Sequence, residues 1–384
     1  MNLTNGIAAL VLAAGRSSRM GCCKPALPLG SGPAIARVVQ TLLEAGVNDL
    51  MVVTGSKREE VTAALGALPV RYVHNAEHQT GMFSSVLAGV AAVPTTTHAF
   101  FVLPADYPLV TSDVVTHLVA EFRRGKAGIV HPTCCGVRGH PPLLAGRYRD
   151  GLQDCAPTDN LASFLQRHER DALEVEVDDF SILMDMDTPA DYQRMRRFAA
   201  LLDGRAGALL REDALYLLAL VRTPDPVVRH CKRVSQVAET LAQALSPLLP
   251  SLDVELTGTA GLVHDIARAR RRHALVGERM LAGLGLPRLA SVVGAHMVLP
   301  QRLVDSPELT EEHLVYLADK LVAGDQVVGL EVRGARRFRE LEDAGADGHV
   351  LGQARARMQL AEAIQDRVEA ALGTSVDALL GRAG

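Results

Sequence analysis

The feature that most constrains this chain is a small-residue loop that follows an apolar run near its beginning. Residues 7–12 are typical of a buried strand. The loop continues as Ala13-Ala14-Gly15-Arg16-Ser17-Ser18-Arg19-Met20-Gly21, with Lys24 and Pro25 behind it. Residues without bulky side chains bring backbone N–H groups close to a ligand, and such groups bind phosphate. Because three cations, Arg16, Arg19 and Lys24, lie in the same segment, the sequence predicts a phosphate site at the end of the first strand.

Strand and helix patterns alternate up to about residue 200. Strand-like runs lie at 8–12, 49–54, 70–74, 99–103 and 128–131, and helical segments at 34–45, 59–65, 82–93 and 112–123. This alternation predicts a three-layer α/β domain with a mostly parallel sheet. Ligands of such sheets bind at the carboxyl ends of strands. Both the small-residue loop and Asp106 follow a predicted strand, so we expect them at the same edge.

The strand pattern ends near residue 204, and the remaining residues predict an all-α domain. Helical segments lie at 212–222, 227–245, 255–268, 274–284, 289–295, 311–321 and 354–372. We therefore expect one domain at residues 1–200 and a second at residues 205–384, with the junction within 201–211.

Composition excludes several classes of protein. The net charge of −4 provides no overall basic field for nucleic acid. No uninterrupted apolar stretch is long enough to span a membrane, and the first residues lack the basic segment of a secretory signal. The six cysteines include the adjacent pairs Cys22-Cys23 and Cys134-Cys135, a spacing that fits neither a disulfide framework nor a zinc site. We expect a cytoplasmic protein that binds neither nucleic acid nor membranes.

The motifs of the first half resemble those of the nucleotidyltransferases that build molybdenum-cofactor dinucleotides, the MobA-like NTP transferases. The loop matches the pattern L-A-A-G-x-S-x-R-M-G-x-x-K-P. Further segments match in the same order: Asn75 with Gly81-Met82 and Ser84-Ser85, then 103–109, then Gly139-His140-Pro141, then Asp185-Met186-Asp187-Thr188-Pro189-Ala190-Asp191-Tyr192. The resemblance spans about residues 6–200, and it implies transfer of a nucleotide to a phosphorylated acceptor with release of pyrophosphate.

The resemblance also assigns expected roles to individual residues. It implies that Arg19, Lys24 and Asp106 are catalytic and that Asp106 and Asp185 hold Mg²⁺. It places His140 on the acceptor side. The expected nucleotide-binding residues are Leu12, Ala13, Ala14, Gly15, Arg16, Asn75, Gly81 and Ser85. Asp187 precedes Thr188-Pro189 and is expected to be the N-cap of the following helix.

The substrates are implied by the same resemblance. Ala14 is typical of members that use CTP, whereas those with L-A-G-G tend to use GTP. The implied acceptor is molybdopterin or the molybdenum cofactor, and a molybdoenzyme that receives the product is a further expected partner. The family's G-D-x-G-A-R segment is replaced here by Leu152-Gln153-Asp154-Cys155-Ala156-Pro157. This departure leaves open a different phosphorylated acceptor.

A second constellation lies in the helical half. His264 and Asp265 are adjacent in a predicted apolar helix, where unpaired ionisable groups are costly. Together with His230 before them and Asp319 after them, they resemble the ligand set of HD-type metal-dependent phosphohydrolases. This resemblance implies a divalent metal such as Fe, Mn or Mg, which activates water and neutralises phosphate. His273 and His296 resemble the additional ligands of two-metal members, whereas His168 and His313 lie among charges and are expected to be solvated.

Three functional alternatives remain open at the level of sequence. The transferase reaction could use another acceptor, such as a sugar phosphate. The chain could be chiefly a nucleotide phosphohydrolase whose first domain senses nucleotides, or a carrier that delivers molybdenum cofactor. The loop cations and Asp106 favour a catalytic first domain over a sensor.

Overall fold

The structure is a computed structural model, and it describes residues 4–15, 21–156 and 159–381. The chain divides into two compact units, Met1–Ala206 and Gly207–Gly384. Within the described ranges, no helix combines the length and the apolar character needed to cross a bilayer.

The first unit contains ten strands and seven helices among its described residues. The strands are β1 (Ile7–Ala13), β2 (Pro28–Leu29), β3 (Gly32–Pro33), β4 (Asp49–Thr54), β5 (Arg71–His74), β6 (Ala99–Pro104), β7 (Ile129–Cys134), β8 (Val137–Arg138), β9 (Leu143–Ala145) and β10 (Ala172–Glu176). The helices are α1 (Ala34–Glu44), α2 (Arg58–Leu65), α3 (Met82–Ala92), α4 (Ser112–Arg124), α5 (Tyr148–Gln153), α6 (Leu161–Arg167) and α7 (Pro189–Leu202). Short 3₁₀ turns lie at Lys24–Ala26, Glu169–Asp171 and Phe180–Leu183.

The central sheet confirms the predicted α/β class. Its strand order is β10-β7-β9-β6-β1-β4-β5, with β8 paired to β7. The pairs β6–β1, β1–β4, β4–β5 and β7–β10 are parallel. The exception is β9, which runs antiparallel between β6 and β7. The sequence patterns did not predict β9, because three residues are too few to show a strand pattern.

The sheet core explains why β1 is continuously apolar. Every residue of β1 is buried, because the strand lies in the middle of a sheet whose faces are covered. Leu10 and Val53 pack with Phe83 and Val90 of α3 on one face. In the register of the parallel pair, Leu12 lies opposite Pro104. The loop after β1 and the loop after β6 therefore leave the sheet at the same edge and the same level.

The second unit is helical. Its helices are α8 (Arg211–Leu220), α9 (Asp225–Leu245), α10 (Val254–Val263), α11 (His273–Gly283), α12 (Pro287–Ala295), α13 (Gln301–Val304), α14 (Glu311–Leu321), α15 (Leu330–Asp343), α16 (Gly348–Leu372) and α17 (Val376–Leu379). A small antiparallel pair, β11 (Val322–Ala323) and β12 (Gln326–Val327), follows α14. This hairpin corrects the expectation that strands are absent after residue 204, since a two-residue strand carries no readable pattern.

Several helices of the second unit differ from the sequence prediction. The unpredicted α13 and α17 have four residues each, too few to show a helical period. The helix predicted at 255–268 ends at Val263, because the chain then turns through i→i−3 hydrogen bonds such as Ile266 N–H to the carbonyl of Val263. His264 is consequently the C-cap of α10 rather than an interior residue. Helix α15 was not predicted at all, since most of its residues are charged and exposed and it shows little apolar face.

Candidate active sites in the two units

A cavity of about 390 Å³ lies at the carboxyl ends of β1 and β6. Its lining combines the loop after β1, the start of α3 and the segment before α7, and comprises Leu12, Ala13, Ala14, Gly15, Lys24, Pro25, His78, Gln79, Gly81, Met82, Ser85, Pro104, Ala105, Asp106 and Asp187. The structure thus places one group of expected site residues around a single cavity. Arg16 and Arg19, which the sequence singles out, lie outside the described residues.

Asp106 has the electrostatic character of a metal ligand. Burial raises the pKa of Asp106 to about 6, against the opposing charge of Lys24 and with support from the charges of Asp187 and Asp185. Its Oδ1 atom is buried and accepts no hydrogen bond from the described part of the chain. A buried carboxylate oxygen without a partner is costly. The position therefore fits a divalent cation, which would satisfy that oxygen.

Lys24 and Asp187 form an ion pair at the same cavity. The ammonium of Lys24 donates to Asp187 Oδ1 over 2.7 Å. The sequence predicts that Asp187 is the N-cap of α7, but in the structure it is not. Thr188 takes that position, and its hydroxyl accepts from Asp191 N–H while the Asp191 carboxylate accepts from Thr188 N–H. Because Thr188 and Asp191 accept the hydrogen bonds at the start of α7, the Asp187 carboxylate is not needed as a cap and can line the cavity.

Asp185 lies two residues before Asp187 and does not line the cavity. Burial raises its pKa, and the charges of Asp187 and Asp191 raise it further. Asp185 also raises the pKa of Asp106, so the two carboxylates interact electrostatically. Asp187, which the sequence indicates only as a capping residue, lies at the cavity with Lys24. The sequence signal that could have placed Asp187 at the cavity is the Thr188–Asp191 capping box, because that box makes Thr188 the N-cap instead of Asp187.

Asn75 and Ser85 occupy different positions relative to the cavity. Ser85 lines it, whereas Asn75 is buried beneath the start of α3. The Asn75 amide donates to Ser84 Oγ over 2.8 Å and to Ser85 Oγ over 3.0 Å. Asn75 therefore holds the first turn of α3, and through it the residues that border the cavity.

His140 lines a second, larger cavity of about 740 Å³. The two cavities share Leu12, Met82 and Pro104, so they adjoin each other. Burial lowers the pKa of His140 to about 4, and the charge of His131 adds to the effect, so the ring is neutral near pH 7. Gly139 is required beside it, because an added Cβ would collide with the carbonyl of Ile182.

In the second unit the structure gathers six expected ligand residues into one cluster. His230 Nε2 lies 3.1 Å from Asp319 Oδ1, and His264 Nε2 lies 3.6 Å from the same oxygen. Asp265 joins this group to two further histidines: its Oδ1 lies 3.1 Å from His273 Nε2 and 3.6 Å from His296 Nε2. Two sets of potential ligand atoms result, one with His230, His264 and Asp265 and one with Asp265, His273 and His296.

Backbone carbonyls orient three of these rings. Nδ1 of His230, His264 and His296 donates to the carbonyls of Gly324, Gly261 and Val293, at 2.9, 2.8 and 2.7 Å. With a metal ion bound, Nε2 of each ring would be the lone-pair atom that faces the cluster. Burial lowers the pKa of His296 to about 4, which keeps that ring neutral. His264 Nε2 is buried and has no hydrogen-bond partner in the described chain. Converging lone pairs of this kind fit divalent cations.

The carboxylates of the cluster are held in the ionised form. Burial alone would raise the pKa of Asp319, but Lys320 and the hydrogen bond from His230 hold it well below its usual range. For Asp265, the charge of His264 and the hydrogen bond from His273 likewise outweigh burial and lower the pKa. Asp265 is the shared member of both ligand sets, so the arrangement can accommodate two metal ions.

Two histidines outside the cluster differ from the solvated environment expected of them. His168 is half-buried, and its ring packs against those of Tyr148 and Phe164. His313 is fully buried rather than solvated. Its Nδ1 accepts from the backbone N–H of Thr310, and its Nε2 lies 3.0 Å from the carbonyl of Leu303. His313 therefore acts as a capping residue of α14, a role that depends on packing that the sequence does not show.

Two family models match the chain, one in each unit. The MobA-like NTP transferase domain matches residues 9–172 and the HD domain matches residues 227–324. The molybdenum cofactor cytidylyltransferase of Escherichia coli K12 is 28% identical over 190 residues, which are 49% of this chain and 94% of that protein. The nicotine blue oxidoreductase of Paenarthrobacter nicotinovorans is 27% identical over 196 residues, or 49% of this chain and 96% of that protein.

One solved structure is also similar to about half of the chain. A nucleotidyl transferase from Methanothermobacter thermautotrophicus superposes with a TM-score of 0.44 at 23% identity, covering 50% of this chain and 97% of that one.

Proposed function

Because this chain joins a MobA-like NTP transferase domain to an HD domain, we propose that the first unit transfers CMP from CTP to molybdopterin and that the second is a metal-dependent phosphohydrolase. In the transfer, an acceptor phosphate oxygen bonds to the α-phosphorus of CTP. The bond from that phosphorus to the bridging oxygen breaks, and pyrophosphate leaves with its electron pair. The enzyme must neutralise the crowded charge and align the two substrates.

The observation that carries the transferase proposal is the meeting of Asp106, Lys24 and Asp187 at the loop of Ala14 and Gly15. Asp106 would hold Mg²⁺ together with Asp185, which lies outside the cavity lining but close enough for its charge to act on Asp106, and the ion neutralises phosphate charge when bound. Lys24 is positioned by Asp187 to meet phosphate oxygens. The similarity to an oxidoreductase means that family resemblance alone does not decide the reaction, so the proposal rests on this charge arrangement.

The adjoining cavity supports a separate acceptor site. Its lining is mostly apolar and includes Phe83, Val86 and Leu165. The polar members are His131, Arg138, the neutral His140, Asn160, Gln166 and Glu169. Such a surface suits a flat organic group better than a small sugar phosphate. This contrast favours molybdopterin over the alternative acceptor, and His140 would contact it as a neutral ring.

Asp106→Asn tests the transferase proposal. The protein is supplied with CTP, Mg²⁺ and molybdopterin, and pyrophosphate release is measured. The variant should lose at least about 100-fold in turnover, because removing a charged group that stabilises the transition state costs several kcal/mol. Asp113→Asn provides a matched control, since Asp113 is an exposed aspartate in the first turn of α4. Near wild-type turnover of Asp106→Asn would refute the assignment, and turnover with a sugar phosphate but not with molybdopterin would refute the acceptor.

The six-residue cluster carries the phosphohydrolase proposal. Its two ligand sets would hold two divalent ions, which supply an activated water and neutralise phosphate when bound. The test combines metal analysis with a screen of nucleotides and dinucleotides under Mn²⁺, Fe²⁺ or Mg²⁺. The His264→Ala/Asp265→Ala double variant should lose both metal and hydrolysis. A wild-type protein that holds no metal and cleaves nothing would show the second unit to be structural or regulatory.

A further inference from the structure

A cavity of about 390 Å³ opens beside the ligand cluster of the second unit and has a cationic wall. His230, Asp265 and Asp319 of the cluster form one side of it. Six cationic side chains line the cavity: Arg268, Lys320, Arg333, Arg336, Arg337 and Arg357. Apart from the two cluster aspartates, Glu340 is the one carboxylate in this described lining. Away from the cluster, the wall is therefore strongly positive.

Most of this wall comes from helices beyond the matched HD domain, which ends at residue 324. Arg333, Arg336 and Arg337 lie on α15, and Arg357 lies on α16. Both helices pack against α14, which carries Asp319. The hydroxyl of Tyr316, also on α14, donates to the carbonyl of Arg357 over 3.1 Å. The cationic wall is thus anchored directly to a helix that supplies a cluster ligand.

Three arginines of α15 repel one another, and an anion bound beside them would relieve that repulsion. Arg336 and Arg337 lie three and four residues after Arg333, so the three like charges are neighbours on the helix surface. Glu340 offsets part of this repulsion through contacts of 3.2 Å with Arg336 and with Arg337, but both arginines are more than half exposed and the pairs are screened by solvent.

The same cavity has an apolar part. Phe338, Met358 and Met297 line it, and Phe338 and Met358 belong to the two helices that carry the arginines. An aromatic ring and flexible thioethers suit the face of a planar group such as a nucleobase. The cavity thus offers a cationic surface and an apolar surface next to a candidate metal centre.

We propose that this cavity binds a nucleoside polyphosphate and that Arg333 and Arg357 make the second unit prefer polyphosphates to monophosphates. This inference rests on the proposed phosphohydrolase function of the ligand cluster. In the reaction, water oxygen bonds to a phosphorus of the chain and the bond to the bridging oxygen breaks. The shortened nucleotide and phosphate leave, and the released proton goes to solvent. The arginines position the phosphate chain beside the cluster and touch no metal.

The test uses the full chain loaded with Mn²⁺ and compares ATP, tripolyphosphate and AMP as substrates by phosphate release. The Arg333→Gln/Arg357→Gln variant should raise KM for ATP and tripolyphosphate about tenfold or more, with metal content unchanged and kcat within about threefold. Arg339→Gln is the matched control, because Arg339 is an exposed arginine of α15 that does not line the cavity. An unchanged KM in the double variant, or preference of the wild type for AMP, would overturn the inference.

Two further measurements separate the possible failures. Phe338→Ala should raise KM for ATP but not for tripolyphosphate; equal effects would refute the nucleobase contact. If the wild type releases no phosphate from any substrate, the phosphohydrolase proposal fails, and binding of tripolyphosphate is then measured by calorimetry. Any tripolyphosphate that binds in the cavity of the first unit binds equally to the wild type and to the double variant. Weaker binding by the double variant therefore supports the role of the cationic wall, and equal binding refutes it.

Discussion

The ammonium of Lys24 lies 2.7 Å from the carboxylate of Asp187, although 163 positions separate the two residues in the chain. The pair connects the segment after the β1 loop to the segment before α7. Asp106 faces the same cavity from the end of β6, and its pKa responds to both charges. Lys24, Asp106 and Asp187 therefore border the candidate transferase site from three separate segments of the chain.

The Asp106 carboxylate should lower the free energy of unfolding near neutral pH, although the proposed reaction requires it. The pKa of Asp106 is raised from 3.8 to about 6 in the folded state, so the folded protein disfavours the carboxylate form. The stability associated with its protonated form is present below the unfolded pKa and is lost as pH rises through about 6. Asp106→Asn should therefore increase the free energy of unfolding at pH 7.5 by about 3 kcal/mol, given 1.36 kcal/mol per pKa unit. Denaturant titrations without metal, at pH 7.5 and pH 4, would measure the gain, which should fade at pH 4. A loss of stability at pH 7.5 would contradict the electrostatic account.

Binding of Mg²⁺ to the first unit should depend on pH through the same group. Asp106 must lose its proton to act as a ligand, so the affinity should fall roughly tenfold for each pH unit below about 6 and level off above it. Calorimetry at pH 5, 6 and 7.5 would show this trend together with proton release. The His264→Ala/Asp265→Ala background removes the contribution of the second unit. Affinity that is constant between pH 5 and pH 7.5 would exclude Asp106 as a ligand.

The preferred nucleotide should be CTP. Ala14 lines the cavity beside Gly15, and we expect its methyl group to restrict the space open to the base. Turnover with molybdopterin should therefore be at least about tenfold higher for CTP than for GTP, a difference of about 1.4 kcal/mol in transition-state binding. Ala14→Gly should reduce that ratio without changing Mg²⁺ affinity. A wild-type preference for GTP would show that the resemblance in this loop is misleading.

The ligand cluster of the second unit should bind two metal ions through Asp265. Because Asp265 belongs to both ligand sets, Asp265→Asn should remove both ions, whereas His273→Ala should remove one. Metal content per chain after dialysis would distinguish these outcomes. His349→Ala is a matched control, since His349 is an exposed histidine of α16. Retention of one tightly bound ion by Asp265→Asn would refute the shared-ligand arrangement.

Much of this architecture could be predicted because it depends on local patterns. The apolar strand before a glycine loop and the alternation of strands with helices identify the α/β unit, since burial between two helix layers requires such residues at such spacing. The sequence also indicated the members of the candidate sites that stand in ordered motifs, among them Asp106, His264 and Asp265. These residues keep a recognisable sequence context because each follows an element that positions it directly.

Only the tertiary structure decided which polar side chains meet. Asp187 contacts Lys24 because Thr188 and Asp191 cap α7 without it, and His313 is buried as a cap of α14. The arginines of α15 form a cavity wall only because that helix packs against α14. The sequence determined the elements and their chemistry, since these depend on residues close together in the chain. The pairing of distant side chains depends on packing between elements, for which no local pattern exists.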